Sequence, residues 1–295
     1  MTELFGIPIT AFMGQLMLGL VNGSFYAILS LGLAVIFGML NIVNFAHGAL
    51  YMMGAFFAWM LLNYAGVNYW FALLLAPIGV GAIGALIEMT MLRRLQQLDH
   101  LYGLLLTFGL ALIFEGTFRE FYGSSGLPYE LPKVFRGVFD LGFMLLPKYR
   151  AWVVLVSIFL CFFTWYVIEK TKLGAYLRAG TENPNLVRAF GINVPLMVTL
   201  TYAFGVGLAG LAGVLAAPIY QVSPLMGSNI IIVVFAVVVI GGMGSILGSI
   251  LTGLALGLIE GLTKVFYAEI SSTVVFIIMV IVLMIRPAGL FGREK

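Results

Sequence analysis

Residues 170–194 read KTKLGAYLRAGTENPNLVRAFGINV. They form the longest polar interruption in the second half of a chain that is otherwise almost continuously apolar. Hydrophobic runs flank the stretch on both sides, so its reading decides the fold: helices that cross a membrane, joined here by a loop outside it. Lys170, Lys172, Arg178 and Arg188 give it the charge of a cytoplasmic loop. It is also patterned. Leu173, Tyr176 and Leu177 stand at i, i+3 and i+4. After the Asn183-Pro184 break, Leu186, Val187 and Phe190 repeat the spacing, and Gly191 stops the helix. Pro184 falls near the start of this second helix, where a missing N–H costs little. The spacing predicts a short amphipathic helix, lying across the membrane face or presented to a partner. Spacing alone equally fits a solvated connection made basic by topology.

Composition supports the membrane reading. Hydrophobic residues make up 62% of the chain and charged residues 9%, with a mean hydropathy of +1.11. An average soluble domain is roughly 45–50% apolar and about 25% charged. Barrel strands alternate apolar and polar residues, and these runs do not. Helices satisfy every backbone group within lipid, so the expected fold is all-α, a polytopic integral membrane protein. The net charge of +3 is small and lies in loops, which gives no reason to expect nucleic acid. Cys161 is the single cysteine, so no intrachain disulfide forms and no Cys/His metal spacing exists. MTELFGIPIT lacks a basic n-region and a small-residue cleavage site, so no removable signal peptide is expected. No GxxxxGK[ST] loop is present, and no Ser/His/Asp set stands at catalytic spacing. No cofactor or metal of its own is expected, and no set of catalytic residues points to an enzyme.

The apolar runs predict spans at 11–21, 25–40, 49–62, 70–92, 101–118, 151–168, 195–217, 230–240, 245–262 and 273–285. That is about ten crossings, or eight if the short runs are half-helices. Asn22-Gly23-Ser24 is predicted as a polar turn between the first two. Residues 1–295 are expected to form one transmembrane domain, with 119–150 an outer loop and 170–194 a cytoplasmic one. The even count places 170–194, Arg93-Arg94 and the group Arg286, Arg293 and Lys295 on one side. The 119–150 loop, broken by Pro128, Pro132 and Pro147, is itself basic at Lys133, Arg136, Lys148 and Arg150. A short interfacial element is expected near 134–146. Stretches 41–55 and 241–255 each put a break before a run of small residues, which is compatible with an inverted repeat.

Candidate functional residues fall into three groups. Gly244 and Gly248, then Gly253, Gly257 and Gly261, stand at four-residue intervals that let helices approach closely; Gly205, Gly210 and Gly213 suggest another such face. Asn22, Ser24, Asn41, Asn44 and His47 are polar groups at membrane depth. Such groups either satisfy backbone freed at a break or line a path. Among the acids, Glu88 is expected at the interface near Arg93, while Glu115 with Arg119 and Glu260 with Lys264 have i, i+4 spacing. A proton-coupled transporter would bury acids near the midplane. Acids near helix ends with basic neighbours favour an energy source outside the chain, although an ion-coupled transporter remains the alternative class.

LGLAVIFGMLNIVNFAHGALYMMGAF at 31–56, GTENPNLVRAFGINV at 180–194 and GGMGSILGSILTG at 241–253 resemble the permease subunits of branched-chain amino-acid ABC importers. The resemblance runs essentially end to end. It implies that 170–194 is a coupling loop, with Glu182, Asn183, Pro184, Arg188, Ala189, Gly191 and Ile192 at the matching positions, docking into a groove on an ATP-hydrolysing subunit. It implies two such subunits holding ATP and Mg, a second permease-like chain, a soluble substrate-binding protein and a bacterial inner-membrane location. It further implies import of leucine, isoleucine or valine by alternating access. Urea and amide importers resemble the same stretches, so they stay open as alternatives.

Overall fold

The computed structural model describes residues 3–4, 7–40, 43–95 and 98–292. The chain is an all-α polytopic membrane protein. Its helices are α1 Ile9–Leu40, α2 Ala46–Ala65, α3 Tyr69–Ile87, α4 His100–Tyr122, α5 Lys148–Lys170, α6 Lys172–Glu182, α7 Pro184–Ala189, α8 Val194–Tyr220, α9 Met226–Gly241, α10 Ile246–Phe266 and α11 Val274–Ile285. Local sequence sets many of the ends. Asn68, Asp99, Asn193 and Ser245 each accept a backbone N–H of the first turn they precede. Gly66 closes α2 at φ 63°, a conformation that suits glycine.

Seven of these helices, among the described residues, are long and apolar enough to cross a membrane: α1, α2, α3 with its extension to Leu95, α4, α5, α8 and α10. α9 and α11 are shorter apolar helices. The expected first two spans are therefore a single helix, and the count of about ten falls to seven long helices and two short ones. Asn22-Gly23-Ser24 lies inside α1 and makes no turn. The reason is local: Ser24 donates its hydroxyl to the Leu20 carbonyl at 2.8 Å, so it satisfies itself within the helix. The expected 119–150 loop also shrinks to 123–147, because α4 and α5 extend into it. Residues near 134–146 form a short 3₁₀ turn, Lys133–Phe135, and a hairpin of Val138–Asp140 with Leu145–Pro147.

If each helix crosses once, Arg93-Arg94 follows the third crossing and the 171–193 loop the fifth, so both still fall on one side. Omitting the two short helices changes neither number. Contacts agree with this count. Leu127, after α4, pairs through both backbone groups with Val222, after α8, at 2.8 and 2.9 Å. These two loops follow even numbers of crossings. Arg293 and Lys295 lie outside the described residues.

The chain divides into two compact units, with boundaries inside α1, α5 and α9. The first unit comprises residues 1–30, 130–161 and 233–295. In it Gly253, Gly257 and Gly261 of α10 meet the α1 backbone at Ala27, Gly23 and Gly19, with no room for a Cβ on any of the three. At these three positions bare backbone lets α10 and α1 approach closely. Gly248 likewise packs on Gly241. Gly244 differs: it sits at φ 83° in the turn before α10, so it shapes a turn instead of a helix face. Beside this seam, Glu260 accepts from Tyr26 Oη at 2.7 Å and from Lys264 Nζ at 2.6 Å.

The second unit comprises residues 31–129 and 162–232 and carries all the polar candidates beyond α1's first half. α8 is its central helix. Gly205 packs on Gly32 and Ile36, Gly210 on Gly54 and Val80, and Gly213 on Tyr51 and Ala55. Bare backbone at three successive places lets α1, α2 and α3 close on one helix.

Candidate functional site

Between α1 and α2 the chain turns inside the protein. Thr107 is the seventh residue after His100, so it stands about 10 Å up α4 at 1.5 Å per residue. Its hydroxyl accepts from Phe45 N at 3.2 Å and faces the Val43 carbonyl at 3.2 Å. Tyr202, about 12 Å up α8 by the same rise, accepts from Asn44 Nδ2 at 3.0 Å. The turn is thus recessed by two helical turns from the ends of its neighbours. Irregular backbone at this depth survives only where protein surrounds it. Thr107, Asn44 and His47 are all fully buried. The His47 ring packs against Gly32, where an added Cβ would come within 3.0 Å of Cε1. Beside the turn, Phe45, Gly48, Phe108, Leu112, Gly227 and Ile231 line a small apolar groove of about 80 Å³.

The loop at 171–193 is built from two short helices at an angle. α6 is held to the end of α5: Arg178 Nη1 donates to the Ile168 carbonyl at 3.2 Å and lies 3.5 Å from Glu169. Asn183 ends α6 and starts α7, its Oδ1 accepting from Leu186 N at 3.0 Å. Pro184 takes the first position of α7. Gly191, at φ 80°, lets its amide return to the Arg188 carbonyl at 2.9 Å. Glu182, Arg188 and Ala189 are exposed, while Ile192 is half-buried. The apolar residues of α7 divide. Val187 turns inward, whereas Leu186 is 55% and Phe190 78% exposed. Two large apolar side chains thus project outward from a basic loop.

Glu88 joins this loop to the membrane helices. It was expected at the interface, yet it has no exposed side-chain surface. α3 passes into a π-turn at Glu88–Leu92, with a last α-turn at Arg93–Leu95. In a π-turn, residues five apart come together. Arg93 accordingly grips the Glu88 carboxylate with Nε at 3.2 Å and Nη2 at 2.9 Å. Nη2 also lies 2.6 Å from Thr199 Oγ1 and 3.2 Å from the Pro195 carbonyl, both at the start of α8. Thr199 in turn donates to Glu88 Oε2 at 2.6 Å.

The structure therefore places Asn44 and His47 together at the recessed turn, with Glu182, Asn183, Pro184, Arg188, Ala189, Gly191 and Ile192 together on the loop. It separates Asn22 and Ser24, which lie within α1 in its first half. Asn41 lies outside the described residues. Thr107, Tyr202 and Thr199 were missed by sequence reasoning. Each is a hydroxyl in a largely apolar run, and only the fold shows what it meets. Among the described residues, no group of three His, Cys, Asp or Glu side chains is close enough to hold a metal. In the loop between α4 and α5, burial and the neighbouring Tyr69 push the Tyr129 hydroxyl above the ordinary tyrosine range.

A polytopic bundle with a recessed polar turn and a capped basic loop is the form of a membrane permease. The family model described as branched-chain amino acid transport system, permease component, matches residues 15–283, and the chain belongs to that family. It is 28% identical over 300 residues to the high-affinity branched-chain amino acid transport system permease protein LivH of Escherichia coli K12, covering 96% of each. It is 30% identical over 297 residues to BraD of Pseudomonas aeruginosa, covering 96% of this chain and 97% of that one. It also matches LivM of Escherichia coli K12, at 29% over 300 residues, covering 92% of this chain and 68% of that one. No solved structure matches the chain.

Proposed function

We propose that the chain is the membrane-spanning subunit of an ATP-driven importer for branched-chain amino acids, working by alternating access. The observation that carries this is the 171–193 loop, whose capped helices hold Leu186 and Phe190 outward on a basic surface. Such a surface suits a groove on a separate ATPase subunit. Two ATPase subunits would bind ATP and Mg, and ATP-driven closure would move the loop. Two different permease proteins of one organism, LivH and LivM of Escherichia coli K12, are both similar to this chain, which supports a second and different permease chain as partner. The location that fits is the bacterial inner membrane, with 170–194 in the cytoplasm. The outer loops at 123–147 and 221–225 would then receive the substrate-binding protein, and their backbone bridge at Leu127 and Val222 presents parts of them as one surface. Lys133 and Arg136 are exposed there. Asn44 and His47 at the recessed turn would line or gate the path.

The test is uptake into liposomes containing the purified complex, its binding protein and ATP. The reading predicts ATP-dependent uptake of labelled leucine that unlabelled isoleucine and valine suppress and urea does not. Suppression by urea or short amides would move the substrate to that class. Uptake driven by an ion gradient without ATP would overturn the importer.

A further inference from the structure

We propose that Glu88, Arg93 and Thr199 form the joint through which movement of the 171–193 loop reaches the recessed turn, and so act as positioning residues for transport. The inference rests on the importer reading above.

The loop is fastened at both ends, and the fastenings differ. At its entry, Arg178 meets Glu169 at 3.5 Å with side chains 47% and 45% exposed. Water and salt weaken a pair in that setting, and water replaces it readily. At its exit, Asn193 caps α8 with its Oδ1 3.2 Å from Leu196 N, and Arg93 then takes the Pro195 carbonyl and the Thr199 hydroxyl. Arg93 is itself held by both oxygens of a carboxylate that water does not reach. Arg93 is 36% exposed, but its loss would leave the buried Glu88 carboxylate without a cation, and loss of either other member breaks the same buried contacts, so the set holds or fails as a unit. A displaced loop therefore yields at α5 and carries α8 and α3 with it.

What lies above the joint gives that displacement a target. Tyr202 is one helical turn beyond Thr199 on the same helix, and its Oη holds the Asn44 amide. Gly205, three residues further, abuts Gly32 of α1 next to the His47 ring. One helix thus runs unbroken from the loop exit to both sides of the recessed turn. The π-turn fits this role. A plain α-turn would point Arg93 away from Glu88, and π insertions concentrate at functional positions.

Thr199→Val keeps the side chain's shape and removes its hydroxyl; Thr199→Ser keeps the hydroxyl. In liposomes with the assembled complex, binding protein and ATP, Thr199→Val is expected to lower uptake about tenfold while ATP hydrolysis stays within about twofold, a loss typical of coupling between sites. Thr199→Ser is expected to recover uptake. Glu88→Gln, Arg93→Gln and the double variant should each lower uptake by a similar factor, as members of one unit do. Equal loss of uptake, ATP hydrolysis and assembled complex in Thr199→Val would mark a merely structural contact and overturn the joint. Unchanged uptake in a complex that hydrolyses ATP would overturn it alone. A native chain that associates with no ATPase would overturn the importer reading and the joint with it.

Discussion

Two turns interrupt the helices at comparable points, before α2 and before α10, and they are held in opposite ways. The turn before α10 is written into its own sequence. Gly242 and Gly244 take φ 97° and 83°, and Ser245 accepts from Gly248 N at 3.1 Å. The chain after α11 then adds backbone bonds from Leu290 N to the Ile240 carbonyl at 2.8 Å and from Phe291 N to the Gly241 carbonyl at 3.2 Å. The turn before α2 depends on side chains from elsewhere in its unit, Thr107 on α4 and Tyr202 on α8. A locally encoded turn stays put when neighbouring helices shift. A turn held by two other helices moves with them. On the proposed function, the first would be scaffold and the second the working part.

The largest expected effect tests the scaffold. Gly242→Val forces a branched side chain to a positive φ and against the Gly292 backbone. Strain of roughly 1–3 kcal/mol adds to overpacking of similar size. Thermal unfolding in detergent should show a markedly less stable protein, with uptake falling in proportion to folded material. Thr107→Val comes next. It removes the partner of two part-buried groups, the Phe45 N–H and the Val43 carbonyl, at up to about 1–3 kcal/mol each. Uptake should fall further than the loss of folded protein explains. Tyr202→Phe leaves one buried group, Asn44 Nδ2, without its acceptor, at about 1–3 kcal/mol. Uptake per ATP hydrolysed should drop by more than the fall in thermal midpoint explains. Smallest is Ser245→Ala, the loss of one helix cap, at about 0.5–1 kcal/mol. It should lower the midpoint slightly and leave uptake per ATP unchanged. If Ser245→Ala uncoupled transport and Tyr202→Phe did not, the assignment of the two turns would be reversed.

Much of this was legible in the sequence, because the signals are local. Apolar runs gave the long helices from α2 to α10 within a few residues. The Asn183-Pro184 break and Gly191 marked α7 before its contacts were known. The i, i+4 pairs Glu115 with Arg119 and Glu260 with Lys264 both form, each at 2.6 Å. The failures have physical causes as well. Ser24 looks like a turn residue until its hydroxyl returns to the Leu20 carbonyl. Gly23 looks like a breaker until α10 packs on it at Leu254. Glu88 and Arg93 are five apart, which places them on different faces of an α-helix and together in a π-turn. Gly244 shares its spacing with the packing glycines but lies before the helix starts. Thr107, Thr199 and Tyr202 carry no sequence pattern, since their partners come from distant parts of the chain.

On the proposed function the 171–193 loop docks on a separate ATPase. Phe190 is the sharpest probe because its side chain is 78% exposed. The measurement is co-purification in mild detergent of the tagged native chain and of Phe190→Asp from the native membrane. The account predicts that an ATPase accompanies the native chain and is lost or sharply reduced with Phe190→Asp, while both chains elute as folded protein. A native chain that elutes alone, or a Phe190→Asp chain that keeps its ATPase in full, would contradict it.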